Sequence, residues 1–132
     1  ARRIWSLKDN PELRFMALKD FDQDMITLIK RGSVLRYAPT QLYVSDSQKV
    51  LIFGRGRFIF ALNFSPVHSF TDFEFCAPSG EYRIALNTDA KNYDGFGRID
   101  ESVHHFTSRK DGGDKLSLYL PSRSAIVLEK IR

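Results

Sequence analysis

Three groups of residues in this chain of 132 have side-chain types suited to catalysis or metal binding, and a fourth is suited to holding a sugar. Asp72 and Glu74 would share one face of a strand over 70–76, and a carboxylate pair can carry glycoside chemistry when one member keeps its proton. Phe73 and Phe75 on the opposite face give a plainer reading, a half-buried strand. Asp20, Asp22 and Asp24 imitate the first ligands of a calcium loop, but Met25 stands where that loop needs glycine and Arg31 where it needs a bidentate glutamate, so calcium is rejected. His104 and His105 would diverge on a strand and have no third ligand at a metal spacing, which makes them polar groups of a loop. Cys76 has no helix terminus or basic cluster beside it to make it a nucleophile, and no serine sits in a nucleophile elbow. Catalysis within this chain is therefore unsupported.

The fourth group lies in residues 87–114, a stretch of weak periodicity and several glycines. Long loops on compact domains are often functional. Tyr93 and Phe96 could stack on sugar rings while Arg98 bonds hydroxyls, which makes Tyr93, Phe96 and Arg98 the carbohydrate-contact candidates of the sequence. The competing reading is that these aromatics pin the loop to the body of the domain, as small apolar clusters under long loops do.

The elements that must position these residues change type once along the chain. Residues 10–31 read as one helix: Asn10 caps it, Pro11 takes the first turn and Gly32 ends it. Leu18, Phe21, Met25, Leu28 and Ile29 fall on one helical face, which needs something to pack on. Upstream, Ser6 and Asp9 have capping-box spacing, with Trp5 as a core residue beside them. After Tyr37-Ala38-Pro39 the pattern becomes strands at 41–45, 49–54, 57–64, 70–76, 81–86, 115–120 and 124–131. Gly54-Arg55-Gly56 and Pro78-Ser79-Gly80 read as turns. Tyr82, Ile84 and Leu86 alternate, as do Leu116, Leu118 and Leu120, so one face of each strand is expected to be buried. The expected fold is mainly β, an antiparallel sandwich over 37–132 preceded by a helical segment over 1–36.

Charge and composition exclude several classes. The formal charge is +4, but residues 1–36 carry 8 Lys and Arg against 5 Asp and Glu while the strand region carries 12 against 11. Nucleic-acid binding needs basic side chains gathered on one face, whereas Lys110-Asp111 and Asp114-Lys115 alternate in sign, so no nucleic-acid partner is expected. A single cysteine excludes an internal disulfide framework, and there is no zinc pattern. The longest apolar runs are too short to cross a bilayer and residues 1–8 lack the core of a secretory signal, which gives the expectation of a soluble, cytoplasmic protein without a membrane partner. A lone amphipathic helix ahead of a run of strands, after an opening Ala1-Arg2-Arg3, reads as a piece of a longer polypeptide whose upstream part would cover the helix.

Arg2-Arg3-Ile4-Trp5-Ser6-Leu7, Asp9-Asn10-Pro11-Glu12-Leu13-Arg14-Phe15 and residues 18–25 resemble the end of the catalytic barrel of 1,4-α-glucan (glycogen) branching enzymes. Further on, Asn63-Phe64-Ser65-Pro66, Ser69-Phe70-Thr71-Asp72-Phe73, Leu86-Asn87-Thr88-Asp89 with Tyr93 and Gly95, and Leu120-Pro121-Ser122-Arg123 resemble that family's C-terminal all-β domain, in the same order. The resemblance implies a parent of α-amylase type, with a (β/α)8 barrel that cleaves an α-1,4 glucan by retaining chemistry and rejoins the released segment as an α-1,6 branch. The carboxylates of that chemistry would all precede the helix, so none falls on this chain. The implied partners are the parent barrel in cis and an α-glucan such as glycogen; no metal or organic cofactor is implied. Cut from its barrel, the helix should either expose its apolar stripe or dock on the sandwich. Two other classes stay open, a stand-alone carbohydrate-binding module and a structural or interaction domain.

Overall fold

The computed structural model describes Ser6, Asn10 and residues 15–132. Helix α1 spans Phe15–Arg31, and the strands are β1 (Thr40–Ser45), β2 (Val50–Arg55), β3 (Phe58–Asn63), β4 (Phe70–Cys76), β5 (Glu81–Asn87), β6 (His105–Phe106), β7 (Ser108–Lys110), β8 (Gly113–Leu120) and β9 (Ser124–Lys130). Pro11 at the expected helix start, and Asp9 and Trp5 of the expected capping box with Ser6, lie outside the described residues. The helix ends after Arg31, where expected, with the Gly32 N–H donating to the Leu28 carbonyl at 2.9 Å, but the left-handed residue that turns the chain is Ser33 (φ 50°) and not Gly32.

The strands form two antiparallel sheets, one of six in the order β1-β2-β3-β9-β5-β6 and one of three in the order β4-β8-β7. Between them lies the main core, in which Ile52, Ile59, Tyr82, Ile84, Ile126 and Leu128 of the larger sheet meet Phe73, Phe75, Leu116, Leu118 and Leu120 of the smaller. The alternation of 116, 118 and 120 places all three leucines in this core. The other expected alternation breaks: a bulge between Ile84 and Leu86 adds one residue to β5, so Leu86 pairs with Val127 and joins the outer face of the larger sheet. The turn expected at Gly54-Arg55-Gly56 falls one residue later, because Arg55 still pairs with Phe58 and Gly56 and Arg57 make the bend.

Residues 87–114, expected to be a loop throughout, contain β6 and β7. Asp111 and Gly112 both have positive φ, 50° and 79°, and join β7 to β8 as a two-residue hairpin of the type that Asp-Gly favours.

The helix docks on the sandwich. Leu28 is buried, and Phe21, Met25 and Ile29 pack against a second cluster of Val34, Phe58, Leu86 and Val127 on the outer face of the larger sheet. An ion-pair network closes this contact. Glu129 of β9, buried at 4% exposure, receives Arg31 in two-pronged contact at 3.0 and 3.2 Å, Arg57 Nε at 2.8 Å and Arg83 Nη2 at 2.7 Å. Arg83 and Phe58 flank Glu129 on the neighbouring strands in register, and the Arg31 and Arg57 guanidinium groups lie 6.0 and 5.4 Å from the Phe58 ring centre. The rest of the helix's apolar arc stays in solvent, with Phe15, Leu18 and Ile26 at 51%, 60% and 48% exposure. No helix among the described residues is long and apolar enough to cross a membrane.

A candidate sugar-binding cleft

Where β5 ends, Asn87 turns the chain with its own side chain: its Oδ1 accepts the Asp89 N–H at 2.9 Å. Thr88 then fastens the turn to β9, its N–H donating to the Ala125 carbonyl and its Oγ1 accepting the Ala125 N–H at 2.9 Å. A 3-10 turn over Lys91–Tyr93 follows, and Asp94 in the left-handed region (φ 61°) reverses the chain so that residues 95–98 fold back over Asp89.

Asp89 holds that return. At 4% exposure, its carboxylate accepts the Phe96 N–H at 3.3 Å, the Arg98 N–H at 2.8 Å, Arg98 Nε at 3.1 Å and Arg98 Nη2 at 2.9 Å. Burial alone pushes this carboxyl up, but the Arg98 guanidinium and the two backbone N–H groups outweigh it and hold Asp89 below the ordinary aspartate value. Arg98 also donates from Nη2 to the Ser122 carbonyl at 2.9 Å, tying the loop to the β8–β9 turn. Its guanidinium stands 5.1 Å from the centre of the Phe96 ring, and that ring is 79% exposed. The result is an open cleft of about 520 Å³, walled by Pro66, Tyr93, Asp94, Phe96, Arg98 and Arg123. An exposed aromatic face beside a fixed cationic group, with the Asp94 carboxylate in the same wall, can stack one sugar ring and bond its hydroxyls.

The fold brings all three sequence-predicted residues to this cleft, in different roles. Phe96 offers its ring to solvent, and Arg98 is clamped. Tyr93 looks both ways: its ring meets Phe21 of α1 edge-on at 5.3 Å between centres and its hydroxyl donates to Asp24, so it also fastens the loop, though to the helix and not to the sandwich as the competing reading supposed. Asp89, Pro66, Ser122 and Arg123 stand in the motifs that carry the family resemblance but were not expected to form the contact set; the β3–β9 and β5–β9 pairings and the β8–β9 turn bring them together. Gly95 packs so tightly that a Cβ there would overlap the Asp89 backbone. Gly95→Ala is therefore expected to lower stability by about 1–3 kcal/mol, read from a urea unfolding midpoint.

The remaining groups do not assemble into a site. Glu74 is paired with Lys110 at 2.7 Å, and that hydrogen bond keeps its carboxyl below the ordinary value, the wrong direction for a proton donor beside Asp72. Asp20, Asp22 and Asp24 lie on the continuous helix α1. His104 meets Glu81 at 2.8 Å, whereas His105 turns inward on the short strand β6, where burial pushes its imidazole down. Cys76 is exposed and free, and no group of three or more potential metal ligands occurs among the described residues.

Residues 43–131 match the family described as alpha amylase, C-terminal all-beta domain. The chain is 36% identical over 135 residues to the 1,4-alpha-glucan-branching enzyme of Saccharomyces cerevisiae, an alignment that covers 97% of this chain and 19% of the yeast protein. The enzyme of the same name from Dictyostelium discoideum is 34% identical, with 99% and 20% covered. The chloroplastic/amyloplastic one from Oryza sativa subsp. japonica is 39% identical, with 81% and 13% covered. The chain thus spans about a fifth or less of the length of these curated relatives. Among solved structures, the cyclomaltodextrin glucanotransferase CldA overlaps 83% of the chain and 22% of its own, with a TM-score of 0.46 and 22% identity.

Proposed function

This chain belongs to the family of alpha amylase C-terminal all-beta domains, and from that premise we propose that it is the non-catalytic C-terminal part of a 1,4-alpha-glucan-branching enzyme. On this reading the parent cleaves α-1,4 glucan and forms α-1,6 branches on a barrel in cis, in the cytoplasm. Residues 1–36 are the barrel's last helical segment and 37–132 the closing domain. The uncovered edge of α1 supports it: Phe15, Leu18 and Ile26 form an apolar strip that a barrel would cover. A longer polypeptide carrying this segment should introduce branches into amylose, read by the loss of iodine colour, while the chain of 132 residues alone should not.

The closing domain also holds glucan in the cleft between β5 and the β8–β9 turn. The observation that carries this is the Phe96 ring, exposed to solvent beside an Arg98 that Asp89 and Ser122 already immobilise. Sugar stacks on the ring, and Arg98, Asp94 and Arg123 reach its hydroxyls. Phe96→Ala is expected to weaken glycogen retention in affinity electrophoresis by about tenfold, the effect of about 1.4 kcal/mol of lost stacking, with an unchanged thermal midpoint. Unretarded migration of the unaltered chain would overturn the glucan contact and leave the domain the role of stabilising the parent barrel.

A further inference from the structure

The geometry points to a second binding site, for a phosphate dianion, free or as a monoester, in the cradle of Arg31, Arg57 and Arg83 over Glu129. Two-pronged Arg31 alone matches the single charge of Glu129, yet Arg57 and Arg83 converge on the same carboxylate at 2.8 and 2.7 Å, which leaves two positive charges in excess. Glu81, the next carboxylate along that face of β5, is met by Arg132 at 3.4 Å and His104 at 2.8 Å, so it does not cancel them. One carboxylate offsets only part of the repulsion among three guanidinium groups gathered on it, and a second anion would offset the rest.

The donors are fixed and reachable. Arg57 reaches Glu129 through Nε and Arg83 through one terminal nitrogen, so their other N–H groups lie outside that ion pair. The three side chains keep 43%, 49% and 44% exposure, and Glu129, with Phe58 beneath Arg31 and Arg57, prevents them from swinging away. Preorganised planar forks with spare donors suit the three terminal oxygens of a phosphate, whose charge of about −1.5 to −2 at neutral pH matches the excess. One compact trio suits one phosphate rather than a polynucleotide track.

Inorganic phosphate and glucose 6-phosphate share this chemistry, so both serve as probes in thermal unfolding of the chain, with sodium chloride held to equal ionic strength. Either salt should raise the midpoint saturably where chloride does not. Arg57→Gln, a partly exposed side chain with one contact to Glu129, should leave the fold intact and weaken the phosphate response by about fivefold or more. A stronger response to the ester assigns the site to a sugar phosphate, and an equal or weaker one to free phosphate. Identical midpoints in phosphate and chloride, or a full phosphate response in Arg57→Gln, would overturn the site. Glycogen retention is read separately, so failure here leaves the Phe96 cleft untouched.

Discussion

Glu129→Ala is expected to lower stability by about 3 kcal/mol and to release α1 from the sheet. Breaking a buried ion pair by removing one partner costs about 3–5 kcal/mol because the other charge is left uncompensated. Here the arginines are nearly half exposed and water takes over part of the loss, which places the effect at the lower end. The helix loses the Arg31 contact while the three guanidinium groups push apart, so amide exchange in Phe15–Arg31 should accelerate well before that in β3 and β9. Uniform exchange rates across helix and strands would show that Glu129 supports the whole sandwich instead. Burial pushes the Glu129 carboxyl up, but Arg31, Arg83 and Arg57 together hold it below the ordinary glutamate value. A depressed folded-state value adds stability that is present above the unfolded-state value and is lost as pH falls through the folded one. Acid titration of stability should therefore steepen on the acid side of the ordinary carboxylate range, and Glu129→Ala should flatten that limb.

Asp89→Ala is the second large loss, about 2–3 kcal/mol, with glycogen retention gone. The substitution leaves two backbone N–H groups and the Arg98 guanidinium without their acceptor, and charge-assisted bonds of this kind contribute about 1.5–3 kcal/mol. Arg98 keeps its bond to the Ser122 carbonyl and 27% exposure, so it is not stranded, and the effect stays below that of Glu129. The Phe96 and Arg98 N–H groups have no such alternative, so the loop should lose its return over the β5 end. Urea unfolding measures the first effect and affinity electrophoresis the second. Retention at the unaltered strength would show that the cleft does not hold the glucan.

The strands were legible because their signal is local. A half-buried strand writes its period of two into five or six residues, and all seven expected strands exist with ends shifted by at most a residue or two, from β1 at Thr40–Ser45 to β9 at Ser124–Lys130. β6 and β7 were not read because His105–Phe106 and Ser108–Lys110 are too short to show a period; bonding to β5 and β8 makes them strands. The Asp111-Gly112 pair is a local hairpin signal in that stretch. The bulge at Ile84 and Leu86 had none, since it exists only in the pairing with β9. The cleft was half legible: aromatics and an arginine in a long loop pointed to 93, 96 and 98, but Asp89 has no local feature that marks it as their anchor. One clue was present in duplicate. Asn63-Phe64-Ser65 and Asn87-Thr88-Asp89 both make Asn-capped turns, at 2.9 Å each, on the two strands flanking β9. The basic cradle was invisible because Arg31, Arg57 and Arg83 stand far apart in the sequence, and only the order β3-β9-β5 together with the docking of α1 gathers them.

That order also governs when the domain can form during synthesis. β9 lies between β3 and β5, so the six-stranded sheet exists only as β1-β2-β3 and β5-β6 until Lys130 has cleared the ribosome. Until then β3 and β5 each present an unpaired edge of apolar residues, the kind of surface that recruits other nascent chains or chaperones. A stop codon that removes only β9 would leave most of the residues in place but never let the two halves join.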